Sequence, residues 1–198
     1  MDVYVVDDDQ GLQLTIRRML EARGHRVHGF ESGVAFLAEA ANLPAGLVLL
    51  DLCMPDLDGL AVQARLGEAD SQHVVVMLTG FGDVPEAVSA MRAGALDFLT
   101  KPCRLSALTE AVALAQEKLD KLQAERQAAG RVAELDRLSP REREVLKASA
   151  HGAGSKQVAY ALQLSVRTVE MHRTNILKKL NVPNFGAALV LAQSGGLL

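Results

Sequence analysis

The chain has no tryptophan, two tyrosines, five phenylalanines and only two cysteines, Cys53 and Cys103. Two thiols cannot build a disulfide framework, so the fold must rest on an apolar core, and such cysteine usage suits a reducing compartment. No apolar run approaches the roughly 18 residues that span a bilayer. The opening Met1-Asp2-Val3-Tyr4 lacks the basic and apolar regions of a signal peptide. These absences predict a cytoplasmic protein with no membrane partner. What is present is apolar content: 49% of 198 residues, enough to fill one large core or two small ones.

The net charge of −3 hides a division. Residues 1–118 carry nine Lys/Arg against seventeen Asp/Glu, a net of −8. Residues 119–137 carry four of each, and residues 138–198 carry eight Lys/Arg against three Asp/Glu, a net of +5. An acidic half followed by a basic half suits a sensing domain tethered to a nucleic-acid-binding one, although many two-domain enzymes are equally lopsided. The expected domains are 1–118, a helical linker 119–137, and 138–198.

In the first half, short apolar runs alternate with helical patterns. Val3–Val6, His25–Phe30, Leu47–Leu50, Val74–Leu78 and Ala95–Leu99 read as strands. Gln10–Glu21, Gly33–Ala41, Leu60–Leu66, Pro85–Arg92 and Ser106–Leu119 read as helices. Strands apolar on both faces imply a parallel sheet covered on both sides, hence a doubly wound α/β domain. Ligands of such sheets collect at the carboxyl ends of the strands. Leu108, Val112, Ala115, Leu119 and Leu122 form a helical stripe that predicts continuation past residue 119, with Gly130 a candidate break.

Beyond Leu138 the pattern is all-helical. Ser139-Pro140-Arg141-Glu142 reads as a cap, a proline at the first helical position and an acid in the first turn. Ser155–Leu162 is a short helix and Gln163-Leu164-Ser165 a turn. Val166–Leu180 is a second helix capped by Ser165, Pro183 ends it, and Phe185–Gln193 is the last.

Chemistry gathers at the predicted strand ends: Asp7, Asp8 and Asp9 after the first, Asp51 after the third, Thr79 after the fourth, and Lys101-Pro102 after the fifth. Adjacent carboxylates repel unless a cation joins them, and a hard divalent ion such as Mg²⁺ or Mn²⁺ is the natural partner. Asp51 would then be a carboxylate nucleophile toward phosphorus. Lys101 and Thr79 would supply the ammonium and hydroxyl that a transferring phosphoryl group needs. Taken singly these residues are commonplace as caps, packing or turns. Their order along the chain makes the signal.

The strings VVDDD, LLDLCMPDLDG, MLTGFGD and AMRAGALDFLTKP resemble a response-regulator receiver throughout residues 1–118. The resemblance implies a CheY-like fold of five parallel strands with Asp51 as phosphoacceptor. It also implies that Asp8, Asp51 and the backbone carbonyl of Cys53 are Mg²⁺ ligands, with Asp7 acting through water. Thr79 and Lys101 resemble the switch hydroxyl and the phosphate-pairing lysine. Phe98 resembles the switch aromatic, and reads equally well as a core strand residue. Cys103 and Cys53 depart from the family's usual Phe and polar residue. Both are expected to be small buried hydrophobes, with redox modulation near Asp51 the alternative.

The segment LSPREREVLKASAHGAGSKQVAYALQLSVRTVEMHRTNILKKLNV resembles a LuxR-type helix-turn-helix. Val166, Val169, Ile176, Leu177 and Leu180 predict the apolar face of its second helix, leaving a basic, exposed surface that can enter a major groove. By resemblance, Lys156, Arg167, Thr168 and Arg173 are phosphate contacts, with Lys178 beside them. Glu170, Met171 and Thr174 are base readers, Glu170 accepting from cytosine, and His172 is expected to be buried and hydrogen-bonded. With the TVEMHR core and the GDVPEAV loop, the whole resembles FixJ- or StyR-like members of the FixJ/NarL family. This implies a sensor histidine kinase partner, double-stranded DNA, and a homodimer formed on phosphorylation. A haloacid-dehalogenase-type phosphatase is the enzyme alternative, but Cys53 stands where its second Asp is required. An RNA-binding antiterminator output is the other alternative, and the helix-turn-helix signature opposes it.

Overall fold

The computed structural model describes residues 1–69, 71–80, 90–150 and 152–198. The chain divides into two compact units, Met1–Leu122 and Gln123–Leu198. The first contains β1 (Asp2–Val6), α1 (Gln10–Glu21), β2 (Arg26–Phe30), α2 (Gly33–Ala40), β3 (Gly46–Asp51), α3 (Gly59–Glu68), β4 (Val74–Thr79), β5 (Asp97–Thr100) and the start of α4 (Leu105–Asp136).

All five strands are parallel, in the order β2-β1-β3-β4-β5. Side chains alternate across the sheet and both faces are covered. Val3, Val5, Leu47, Leu49, Val76 and Leu78 pack with Ile16, Leu20, Leu108 and Ala115 on one side. Tyr4, Val6, Val48, Leu50, Val75 and Met77 pack with Phe36 and Val62 on the other. Each fully buried aliphatic contributes about 1.5–3 kcal/mol over leaving it in water. Short polar side chains start the helices: Asp9 accepts from Gly11 and Leu12, Ser32 from Ala35, and Asp58 from Ala61.

The expected strand at Ala95–Leu99 is displaced to Asp97–Thr100. Gly94, at φ +96°, closes a turn in which the Ala95 amide bonds Ala90 O, so the ladder starts two residues later. The edge strand starts at Arg26 rather than His25, and only Val27 of it is buried. Of the expected helix Pro85–Arg92, only Ala90–Arg92 falls within the described residues and is helical. The GDVPEAV loop lies outside them.

Helix α4 runs continuously for 32 residues, so Gly130 does not break it. A glycine costs roughly 1 kcal/mol in a helix interior, and strong helix formers flank this one. Leu108, Val112, Ala115 and Leu119 belong to the sheet's core, whereas residues 123–133 are exposed.

The second unit contains the end of α4 followed by α5 (Pro140–Ala148), α6 (Ser155–Leu162), α7 (Val166–Leu180) and α8 (Phe185–Ser194). Leu135, Leu138, Val145, Leu146, Val158, Val169, Ile176, Leu180, Ala188 and Ala192 form its core. Ser139 and Glu142 form a reciprocal capping box at α5, with Pro140 in the first turn. Ser165 caps α7. Asn181, in the left-handed region at φ 51°, ends α7 before Pro183 is reached. No helix among the described residues is long and apolar enough to cross a membrane.

Candidate functional site

The sheet register assembles the first site. Val6 pairs with Leu50, so the next residues, Asp7 and Asp51, emerge side by side. Asp51 pairs with Leu78, and Thr79 with Thr100, directly before Lys101. The Lys101 amide donates to Thr79 O at 2.7 Å, which ties these two strand ends together. The chain leaves β1 toward β2 on one side and leaves β3 toward β4 on the other, so Asp7 and Asp51 flank the point where the strand order reverses.

Lys101 Nζ lies 2.6 Å from Asp7 Oδ2 and 2.8 Å from Asp51 Oδ1. Asp7, Asp51 and Thr79 are buried, and Asp8 is exposed at the rim. The Asp9 amide donates to Asp7 Oδ1 at 2.9 Å. Burial is the main influence raising the Asp51 carboxyl above its ordinary range; Asp7 adds to it, while Lys101 and the Cys53 amide pull downward. Burial alone would lower the Lys101 ammonium, but its pairing with the Asp51 and Asp7 carboxylates outweighs that and raises it.

Gly59, at the start of α3, is required by close approach. A Cβ there would meet the Asp51 carbonyl oxygen at 2.4 Å, so any side chain would displace the backbone of Asp51 itself.

Asp7, Asp8 and Asp51 each offer a ligand oxygen, all within 4.8 Å of one another. Asp7 Oδ2 is buried with no well-aligned hydrogen bond, only the charge of Lys101 beside it. An all-oxygen set with an under-satisfied buried carboxylate fits a hard divalent cation.

Phe98 is 39% exposed on β5, so the core reading of this residue is wrong. Cys53 is exposed and Cys103 half-buried against the sheet's core, so the buried-hydrophobe expectation fails for Cys53. Burial pushes the Cys103 thiol up, which lowers its thiolate fraction and argues against a redox role for it.

In the second unit, α7 buries Val169, Ile176 and Leu180, with Leu177 packed beside them. Val166 was expected on that face, but it lies at the helix start and is largely exposed. Lys156, Arg167, Glu170, Met171, Thr174 and Lys178 are exposed, whereas Thr168 and Arg173 are half-buried. The Thr168 hydroxyl pairs with that of the cap residue Ser165 at 2.8 Å, and Thr174 donates to the Glu170 carbonyl. Lys179 is spent internally, 2.7 Å from the buried Glu142. His172 is half-buried, and its Nδ1 has no hydrogen-bond partner, contrary to expectation.

One connection between the helices is not legible in the sequence. Ser155 opens the expected helix Ser155–Leu162, and its side chain joins α6 to α7 by bonds to Glu170 and Arg173. No local pattern could reveal that pairing.

Comparison with known proteins agrees with this architecture. Residues 3–113 match the response regulator receiver domain, and residues 136–192 match the bacterial regulatory proteins of the luxR family. The chain is 38% identical over 195 residues to the transcriptional regulatory protein FixJ of Rhizobium meliloti strain 1021, spanning 98% of this chain and 96% of that protein. It is 39% identical over 188 residues to the response regulator protein TmoT of Ectopseudomonas mendocina, spanning 91% and 82%. Response regulator StyR superposes with a TM-score of 0.73 at 33% identity, over 97% of this chain and 98% of that one. Full-length FixJ from B. japonicum does so with a TM-score of 0.59 at 34% identity, over 100% and 98%. With a receiver and a LuxR-type DNA-binding domain in one chain, this protein belongs to the FixJ-like transcriptional response regulators.

Proposed function

We propose that Asp51 accepts a phosphoryl group from a sensor histidine kinase and that phosphorylation drives homodimerisation and sequence-specific binding to double-stranded DNA. The observation that carries the first half is the Lys101 ammonium held between Asp7 and Asp51 at the carboxyl ends of the strands. An Asp51 oxygen attacks phosphorus as the P–N bond to the kinase histidine breaks. The histidine nitrogen leaves with the electron pair, and an acyl phosphate forms. Lys101 then pairs with a phosphoryl oxygen, and the Thr79 hydroxyl donates to another. Asp8, Asp51 and the Cys53 carbonyl would hold Mg²⁺ or Mn²⁺, with Asp7 acting through water. The ion would supply positive charge against the phosphoryl oxygens. Phe98 follows Thr79 as the surface readout of the modification. The chain assists its own modification and is no enzyme toward other substrates.

In the second unit, α7 enters the major groove. Glu170, Met171 and Thr174 read bases, and Lys156, Arg167, Thr168, Arg173 and Lys178 face phosphates. Arg173 has part of its guanidinium engaged by Ser155 and Phe185, so only its remaining N–H groups serve DNA. The localisation that accords with this reading is cytoplasmic.

The test treats the full chain with a small phosphodonor and Mg²⁺. Intact mass should rise by one phosphoryl group in the wild type and not in Asp51→Asn, and only the phosphorylated wild type should tighten on a selected duplex. Uptake that survives in Asp51→Asn, or DNA affinity indifferent to phosphorylation, refutes the corresponding half.

A further inference from the structure

Beside the apolar packing of α6 on α7, one hydroxyl of α6 bonds two side chains of α7. Ser155 Oγ hydrogen-bonds Glu170 Oε1 and accepts from Arg173 Nη1 at 3.0 Å. The valence fixes the direction of both bonds. A guanidinium has only donors and an ionised carboxylate only acceptors, so the group between them must do both, as a hydroxyl does. Ser155 is available for this because the α6 cap does not use it: the Gly154 amide is satisfied by the Gln157 side chain at 3.0 Å. The guanidinium is held from its other side as well, with its carbon 4.0 Å above the centre of the Phe185 ring.

We propose that Ser155 is a specificity-positioning residue, which acts on DNA recognition by holding the Glu170 carboxylate in one place on the exposed surface of α7. This rests on the reading of α7 as the element that meets duplex DNA. Glu170 is exposed on a helix that must approach a polyanion, where a freely rotating carboxylate would be repelled by every phosphate it swept past. Anchored at Ser155, the carboxylate has a fixed origin from which its second oxygen can select one base donor. Arg173 donates to the same hydroxyl but is also held over the Phe185 ring, so its place does not rest on Ser155 alone.

The test is binding-site selection with the phosphorylated full chain, comparing wild type, Ser155→Ala, Ser155→Thr, Glu170→Ala and the Ser155→Ala/Glu170→Ala double variant. Ser155→Ala should lose preference at one base pair and weaken roughly five- to tenfold on the wild-type site, an indirect share of a base contact. Affinity for unrelated duplex should stay within about twofold of wild type, since phosphate contacts carry that binding. Ser155→Thr keeps the hydroxyl and should keep the motif. The double variant should select the same motif as Glu170→Ala alone, because Ser155 acts through Glu170. If Ser155→Ala fails to fold, Ser155→Cys, with only a weak S–H donor, carries the same expectation. A Ser155→Ala chain that selects the wild-type motif, or weakens on all duplexes alike, overturns the assignment and leaves the DNA reading standing. A wild-type chain that selects no motif overturns the DNA reading and Ser155 with it.

Discussion

The Lys179 ammonium stands 2.7 Å from a carboxylate oxygen of Glu142, a side chain almost wholly buried where α5 meets α7. Burial alone would raise the Glu142 carboxyl. Lys179 and the capping bonds from Ser139 outweigh it and hold the group below its ordinary 4.5. A carboxyl held low in the folded state stabilises the fold above its unfolded pKa and loses that contribution as pH falls through the folded value. Glu142→Gln keeps the capping geometry but loses the charge. It should cost about 1–3 kcal/mol at neutral pH, and the difference from wild type should shrink on acidification below pH 4.5. Parallel acid-unfolding curves for the two proteins would contradict this.

Removing the two partners of the other buried pair should have opposite signs. Lys101→Ala strands Asp7 and Asp51 together without their cation, and should destabilise the metal-free chain by about 2–4 kcal/mol. Asp51→Asn removes a carboxylate whose ionised form is already disfavoured by burial and by Asp7, while Lys101 keeps Asp7 as partner. It should leave stability unchanged or raise it by about 1 kcal/mol. Urea unfolding in chelator measures both, and a matching loss in the two variants would show that Asp51 is not held at a cost.

Phe98 is only partly covered and lies in the strand that pairs with Thr79 and leads into Lys101. Phe98→Ala should therefore cost under about 1 kcal/mol, well below the 3–5 kcal/mol of a buried Phe. The same variant should weaken the phosphorylation-dependent change in dimerisation while phosphoryl uptake at Asp51 stays normal. Sedimentation with and without phosphodonor reads the first, and intact mass the second. A full dimerisation response in Phe98→Ala removes the residue from the switch.

Much of the first unit was legible because parallel strands buried on both faces need unbroken apolar runs, and Val3–Val6 and Leu47–Leu50 show them. Asp7, Asp51, Thr79 and Lys101 could be grouped before the strand order was known, since every parallel strand delivers its carboxyl end to one edge. The exposed ring of Phe98 was not legible. In a four-residue strand, residue type does not say which side chain faces the core. Gly130 misled because its intrinsic cost is real but small against the formers around it. Ser155 stayed hidden for a different reason: its partners lie 15 and 18 positions away across a helix pair, and no period encodes that contact.

The two arginines of α7 should separate when replaced. Arg167 is exposed in the first turn of the helix, where its charge is free to meet a phosphate. Arg167→Ala should weaken binding to every duplex alike and reduce the salt slope by roughly one unit. Its unfolding midpoint should stay near wild type, because an exposed charge contributes little to stability. Arg173 is half-buried, donates to Ser155 and lies over Phe185, so its removal takes away a cation–π contact and a hydrogen bond between helices. Arg173→Ala should destabilise the second unit by about 1–2 kcal/mol. Arg173→Lys should recover little of this, since an ammonium cannot stack on the ring and fork to the hydroxyl at once. Thermal unfolding and salt-titrated binding on the same preparations distinguish the residues. Both variants should lower the salt slope, and if Arg173→Ala unfolds at the same midpoint as Arg167→Ala, the reading of Arg173 as the residue that also pins the helices is wrong.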